Sequence, residues 1–398
     1  MTASDCTKAD LRLAALEDLI RREIAEQGPI SFARFMEQAL YHPEHGYYEQ
    51  GCGQVGKGGD YYTSVTVGKV FGELLGFRFS EELAELGGGP LRLVEGGAHD
   101  GRLAADILAW MREWRPGVFG RMEYCILEPS PRRREIQRRR LSPFAGRVCW
   151  CRGWSELGSA TIRGVVFANE LLDALPFQRL AWDGQQRQWV EWGVALADRR
   201  FTWVKLPGPV QLGTATAGAV ENVAVARLCA SLSVPEPMRS LLPDGFTMDF
   251  SPAAVRWWSA AARSLAAGAL VAIDYGLTTE EMLSPERAGG TARAYRDHQA
   301  NDRLLEAPGK QDLTAHVNFS ALRAAGEAAG LKTRALVSQE RFLTQILEAT
   351  QRREDAFPEW SLPRRRQLQT LIHPEHLGRS FRVLYQVRGG AGTCEGGS

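Results

Sequence analysis

The stretch VEGGAHDGRLAADIL, Val94–Leu108, decides the fold. Apolar Leu91, Leu93 and Val94 run into glycines, and Leu103, Ile107 and Leu108 recur after them at helical spacing. A strand that turns through glycine into a helix N-terminus offers backbone N–H groups to an anionic or dipolar ligand. Dinucleotides, nucleoside triphosphates and S-adenosylmethionine share that geometry, and a plain helix-start turn with no ligand shares it too.

The glycine spacing separates these ligands. A dinucleotide turn needs G-x-G-x-x-G, so that the backbone can approach a pyrophosphate and the helix can pack on the strand. Counted from Gly97, the second and third positions are His99 and Arg102; counted from Gly96, they are Ala98 and Gly101. Each register lacks at least one glycine, and no Gly-Lys-Ser/Thr closes a P-loop. S-adenosylmethionine carries no phosphate, and its methionine end and sulfonium are cationic in part. Glu95, at the end of the first strand, suits that charge, and Gly97 and Gly101 let the backbone come close. Glu128 ends the next strand, EYCILE, where a carboxylate accepts two ribose hydroxyls well.

Outward from the turn, short apolar strands alternate with helices. After Leu91–Glu95 come a helix over Gly101–Trp114, the strand Glu123–Glu128, a helix over Pro131–Leu141, and strands over Arg147–Cys151 and Gly164–Asn169. That alternation predicts an α/β fold with a doubly wound, Rossmann-like parallel sheet. Residues 1–90 read as a helical region with a Gly- and Tyr-rich loop, and 91–176 as the first half of the sheet domain. Residues 177–250 read as an inserted, mainly antiparallel segment, with a hairpin around Asp183-Gly184. The parallel pattern resumes over 251–388 through ALVAIDYG, with 277–316 long and loop-like, and 389–398 reads as a disordered tail.

The fourth strand runs into ANELLDALPFQ. In methyltransferases of this sheet type the end of that strand faces the methyl group, and the protein's part in an in-line transfer is mainly to position the reactants. Asn169 and Glu170 fall there, with Asp173 three residues on. Leu171 and Leu172 stand where an enzyme acting on a nucleobase amine needs a stacking aromatic, which argues against a base as acceptor. Carboxylates suit a guanidinium, which stays charged and pairs bidentately. For Asp173, capping a local turn before Pro176 is an equal alternative.

These motifs resemble the MidA-like S-adenosylmethionine-dependent methyltransferases, whose mitochondrial members are complex I assembly factors. The resemblance runs through ISFARFMEQALYHPEHGYY, GDYYTSVTVGKVFGELLG, VEGGAHDGRL, ANELLDALPFQ, IDYG and GTARAYRDH…APGKQDLTAHVNF. It implies a class I methyltransferase fold, S-adenosylmethionine as cofactor, and a protein arginine as acceptor, symmetrically methylated on a complex I subunit in the mitochondrial members. By motif position, Asp60, Thr63, Ser64, Glu95, Gly97, Gly101 and Glu128 would bind the cofactor. Asn169, Glu170 and Asp173 would be catalytic. Two positions depart from the family pattern: His99 replaces the second glycine, and no proline follows Thr63-Ser64. A binding or assembly module of the same fold, and a methyltransferase for RNA or a small molecule, are the alternative functions.

Bulk properties add bounds. The 398 residues carry a formal net charge of +1, which gives no global field for nucleic acid or membrane. The helix PRRREIQRRR reads as a solvated face with Ile136 and Leu141 inward rather than a nucleic-acid surface. The two HPEH motifs, His42–His45 and His373–His376, have a proline inside and no third ligand, so no metal is expected. His316 in DLTAHVNF reads as a buried, hydrogen-bonded histidine. The tryptophans of the inserted segment read as its core, with a partner-binding platform as the alternative. Asp5, Asp10, Glu17 and Asp18 argue against a signal peptide or mitochondrial presequence. The seven cysteines, without a C-x-x-C, read as reduced thiols. The expected location is therefore cytoplasmic, with no membrane insertion; a homodimer is compatible with the sequence.

Overall fold

Seven strands make the continuous path of the central sheet, β1 Leu91–Gly96, β2 Met122–Leu127, β3 Val148–Cys151, β4 Ile162–Asn169, β5 Leu265–Leu277, β6 Lys332–Ser338 and β7 Phe381–Arg388, and the two-residue strand Val317–Asn318 pairs parallel with the end of β5. The spatial order of the seven is β3-β2-β1-β4-β5-β7-β6. Strands β1 to β5 run parallel, and β7 lies antiparallel between β5 and β6. The structure is a computed structural model describing residues 3–50, 63–207, 210, 241–296, 299–352 and 357–389.

A sheet covered on both faces buries every side chain of its middle strands, so these strands are continuously apolar. Val165, Val166, Phe167 and Ala168 of β4 and Leu270 to Ile273 of β5 are buried accordingly. The strand order reverses between β1 and β4. At such a point the loops after the strands diverge and leave a crevice, the usual ligand site of a doubly wound sheet.

Gly164, at the start of β4, shows how closely the strands are matched. A Cβ there would lie 1.7 Å from the Arg92 carbonyl oxygen of β1. That atom is backbone in a paired strand and cannot turn aside. Gly164→Ala should therefore cost more than about 3 kcal/mol, read from denaturant midpoints; an unchanged midpoint would contradict this close approach.

Three helices frame the crevice side: α1 Val70–Glu85, α2 Arg102–Trp114 and α3 Pro131–Arg140. Helix α2 buries Leu103, Ala104, Ile107, Leu108, Trp110 and Met111, the face its periodicity predicts. Helix α3 does not follow expectation. Ile136 is 43% exposed, and Gln137 is the buried residue; Leu141 does point inward. The helix presents its polar amide to the sheet because three hydrogen-bond partners meet it there, one of them the buried Glu128, as described below.

The chain divides into two compact units. The sheet above belongs to the unit of residues 62–172, 257–275 and 323–398. The other comprises residues 1–61, 173–256 and 276–322. Its five-stranded sheet is antiparallel throughout, with Gln178–Asp183 and Gln188–Ala197 forming the hairpin at Asp183-Gly184. Asp183 Oδ1 accepts from the N–H groups of Gln185 and Gln186, which closes the hairpin loop. Phe32 packs on Phe177 and on Trp203, each 5.1 Å away between ring centroids. Trp182 is buried, edge-on to the half-buried Trp189, and half-buried Trp192 meets half-buried Trp203 the same way, so the core reading holds for Trp182 and only in part for the other three.

Residues 277–316 differ from the predicted loop. They contain strands Arg293–Arg296, Gln299–Asn301 and Asp312–Thr314, paired antiparallel. Each strand is three or four residues long, too short to show an alternation, and what buries them is Ala292, Ala294, Leu304 and Leu313, scattered among charges. Among the described residues no helix is long and apolar enough to cross a membrane.

Candidate active site

The glycine turn after β1 is held from three sides. Gly97 N–H donates to the Leu127 carbonyl of β2, and Gly101 N–H donates to Ala98. Gln137 Nε2 donates to the His99 carbonyl at 3.0 Å. Asp100 accepts from the Arg102 N–H at 3.0 Å and from Arg140 at 2.8 Å, clasping the turn to α3. Burial alone would raise the Asp100 carboxyl, but the His99 ring, Arg140 and the Arg102 N–H outweigh it and hold it at about 2. Arg140 is thus engaged by the protein's own Asp100, Arg138 lies over the Trp150 ring, and Arg139 makes a surface pair with Glu135.

Gly97 and Gly101 adopt φ of 67° and 81°. A side chain at Gly97 would also meet Leu171, with its Cβ 2.7 Å from Leu171 Cδ1. His99 has φ of 46°, so the histidine occupies backbone territory that glycine holds at less cost.

Two carboxylates lie beside this turn. Glu95 is 2% exposed, and the Tyr124 hydroxyl donates to its Oε2 at 2.8 Å. Burial pushes its pKa up to about 8; the Tyr124 hydrogen bond opposes this, and Asp100 adds to it. Near neutrality burial therefore keeps Glu95 protonated. Glu128, just past β2, is buried; Ser130 N–H donates to Oε1 at 3.0 Å and Gln137 Nε2 to Oε2 at 3.1 Å. Trp150 of β3 in turn donates to Gln137 Oε1 at 3.0 Å. One buried amide thus ties the glycine turn, the second carboxylate and β3 together.

The protonated Glu95 has a consequence for stability. Between about pH 4.5 and 8 the unfolded chain loses this proton and the folded chain keeps it. Stability from this group is full below the unfolded value and is lost as pH rises through the folded one. Glu95→Gln, which keeps the Tyr124 hydrogen bond, should therefore gain on the parent as pH rises from 5 to 8, read from urea midpoints at both values. An equal difference at both pH values would contradict the buried, protonated Glu95.

At the end of β4, Asn169 is buried and Glu170 has φ of 51°. Glu170 N–H donates to the Ile273 carbonyl of β5 at 3.0 Å. Asp274, wholly buried, accepts from the N–H groups of Leu171 at 3.2 Å and Leu172 at 2.8 Å. These bonds fix a left-handed backbone that an unsupported Glu would avoid. Glu170 Oε1 accepts from Ser64 N–H at 3.1 Å and from Asn169 Nδ2 at 3.2 Å. Asn169 Oδ1 is buried with no hydrogen-bond partner. Such an atom is costly unless a ligand donor meets it. Thr63 caps the short helix Ser64–Val67, and Ser64 Oγ bonds Gln339.

One unit therefore holds Thr63, Ser64, Glu95, Gly97, Gly101, Glu128, Asn169 and Glu170. Asp173 belongs to the other unit, where its carbonyl accepts from Ala315 N–H. Asp60 lies outside the described residues. In that second unit His316 Nδ1 is buried without a partner, so the expected hydrogen bond to the ring is absent at that nitrogen; burial, with Arg287 and Arg293, lowers its pKa to about 4. Gln137, Tyr124 and Asp274 have no part in the expected site. Of these only Asp274, in IDYG at a strand end, carried a sequence signal.

The HPEH motifs are turn devices. His42 Nδ1 accepts from the N–H groups of Glu44 and His45, and His373 Nδ1 from that of Glu375. Among the described residues no group of three or more His, Cys, Asp or Glu is placed to hold a metal.

Carboxylates beside a glycine turn at the switch point, and an orphaned acceptor at the end of β4, fit a cationic nucleoside rather than a pyrophosphate. Comparison with known proteins agrees. The family described as S-adenosyl-L-methionine-dependent methyltransferase matches residues 74–337. A crystal structure of a protein from Burkholderia thailandensis bound to S-adenosyl-homocysteine superposes with a TM-score of 0.78 at 32% identity, covering 97% of this chain and 95% of that one. The protein arginine methyltransferase NDUFAF7, mitochondrial, of Danio rerio is 29% identical over 350 residues, 81% of this chain and 74% of its own. The Drosophila melanogaster homologue is 26% identical over 416 residues, 96% of this chain and 87% of its own. The chain belongs to the MidA-like family of S-adenosylmethionine-dependent methyltransferases. It is accordingly a methyltransferase, and its cofactor is S-adenosylmethionine.

The cytoplasmic location expected from the sequence is overturned by these relatives, which are named as mitochondrial proteins. That expectation rested on acidic residues near Met1 and on cysteine usage, and neither reports a protein's destination.

Proposed function

We propose that this chain methylates an arginine guanidinium of a partner protein, and that the acceptor is a subunit of a respiratory complex. The observation that carries the reading is the constellation at the end of β4: a carboxylate held by Ser64 and Asn169, next to an amide oxygen without a partner. A guanidinium has five N–H donors and no acceptor, so it needs such a surface. The names of the NDUFAF7 relatives support the same acceptor.

S-adenosylmethionine supplies, when bound, a methyl group on a sulfonium, open to in-line displacement. Glu128 would hold the ribose hydroxyls, and Gly97 and Gly101 would admit the methionine end, with Thr63 and Ser64 bordering it. Glu95 would release its proton to solvent beside the cationic end and act as its counter-charge. Asp60, in the same Gly-Asp-aromatic-x-Thr-Ser segment, and Asp173 complete the proposed set. Glu170 accepts a guanidinium N–H, orients one nitrogen toward the methyl and draws electron density onto it, while Asn169 Oδ1 takes a second N–H. As the N–C bond forms and the methyl–sulfur bond breaks, with the thioether as leaving group, the attacking nitrogen becomes acidic and would pass its proton to the Glu170 carboxylate and on to solvent.

Quantitative mass spectrometry of arginine methylation, in cells with and without the protein, tests this. Loss of methylation at one or a few arginines in its absence is expected; an unchanged arginine methylome would overturn the acceptor assignment.

A further inference from the structure

Three thiols converge at the β3 edge of the central sheet. Cys125 of β2 is directly opposed to Cys149 of β3, and Leu127 to Cys151. Cys149 and Cys151 share a face because strand side chains alternate. Cys125 is fully buried, and its sulfur lies 3.4 Å from that of Cys151. Cys149 and Cys151 are half-buried on the outermost strand. Opposed residues of neighbouring strands have Cα atoms about 4.8 Å apart, inside the span a disulfide needs. The Cys125 thiol donates toward Cys149 and lowers its pKa, Arg92 adds to this, and burial and Glu123 oppose it; Cys125 itself is raised. Of the opposed pair, Cys149 is the half-exposed thiol that a small oxidant can reach, and Cys125 is buried behind it.

The same strands carry the cofactor grip. Glu128 N–H donates to the Cys151 carbonyl at 2.9 Å. Trp150, between the two half-exposed cysteines, donates to Gln137, which donates to Glu128. Movement of β3 against β2 is therefore passed to the second carboxylate by two routes.

We propose that Cys125 and Cys149 are a site of reversible oxidation by hydrogen peroxide, closing to a disulfide that loosens the hold of Glu128 on the nucleoside. The Cys149 thiolate attacks one peroxide oxygen. An S–O bond forms, the O–O bond breaks, and hydroxide leaves and is protonated to water. Cys125 then attacks the sulfenic sulfur, losing its proton as the S–S bond forms and the S–O bond breaks with loss of a second water. Two thiols are oxidised and one peroxide is reduced to two waters. A dithiol reductant reverses the closure. The effect on the nucleoside rests on the assignment of Glu128 given above; the disulfide does not.

The test treats the full chain with hydrogen peroxide, alkylates the remaining thiols and maps cross-links by mass spectrometry. Affinity for S-adenosyl-homocysteine is measured by calorimetry before oxidation, after it, and after dithiothreitol. Cys149 and Cys151 fall in one tryptic fragment, so Cys151→Ser and Cys149→Ser are mapped alongside. The expected results are a Cys125–Cys149 link that persists in Cys151→Ser and is absent in Cys149→Ser. Affinity should fall about tenfold on oxidation, the scale of one weakened hydrogen bond to a charged group, and dithiothreitol should restore it. Cys149→Ser should bind normally and resist peroxide. Absence of the link, or equal peroxide sensitivity in Cys149→Ser, would overturn the proposal; a link with unchanged affinity would overturn its coupling to Glu128. Failure of the unoxidised protein to bind would instead count against the cofactor site, with the cross-link map still deciding the thiol pair.

Discussion

Glu170→Gln should lower turnover by about 100-fold or more while changing cofactor affinity by less than about twofold. The amide is the same size, and its oxygen can still accept from Ser64 N–H and Asn169 Nδ2. The backbone at φ of 51° is tied through the Ile273 carbonyl and, at the next residues, the Asp274 carboxylate, backbone bonds that the substitution leaves in place, so the fold should be unaffected. What changes is one carboxylate oxygen, which becomes an NH₂ donor facing a substrate that is itself all donors. Both the attraction and the orientation of the guanidinium are lost. Steady-state rates at saturating cofactor, with calorimetry for affinity, measure this; unchanged turnover would remove Glu170 from the mechanism.

Glu128→Ala should weaken cofactor binding by about 100-fold. A hydrogen bond to a charged group contributes about 1.5–3 kcal/mol, and each 1.4 kcal/mol is about tenfold. Two ribose hydroxyls on one carboxylate could exceed that, but in the free protein the carboxylate already serves Ser130 and Gln137. Truncation therefore removes the ribose bonds and also frees the Ser130 and Gln137 donors. Turnover at saturating cofactor should be largely retained, because Glu128 lies at the end of β2 and the transferred methyl is assigned to the end of β4. Calorimetric titration of S-adenosyl-homocysteine into parent and variant measures the effect. Equal affinities would mean that the ribose is held elsewhere.

The central sheet was legible because its strands are short apolar runs between turn signals, with Glu95 and Glu128 at adjacent strand ends. The antiparallel hairpin was legible from Asp183-Gly184 between two runs of β-prone residues. Gln137 was not legible. It lies in PRRREIQRRR, where periodicity offers Ile136 as the inward residue. Its partners, His99, Glu128 and Trp150, come from other segments, so nothing local marks the amide as buried. Asp274 stood out in IDYG at a strand end, but its bracing role did not, because Leu171 and Leu172 lie more than 100 residues earlier in the chain. The left-handed backbone of Glu170 was hidden because no glycine marks it. The small sheet of residues 293–314 was missed because its strands are too short to show a period.

The central claim is that the carboxylates beside the Gly97 turn hold S-adenosylmethionine in the crevice between β1 and β4. A crystal structure of this chain with S-adenosyl-homocysteine tests it most directly. The predicted result places both ribose hydroxyls within hydrogen-bond distance of the Glu128 carboxylate, with the homocysteine end against Gly97 and Gly101. A crevice filled by the protein's own side chains, or a nucleoside bound away from Glu128, would contradict the account.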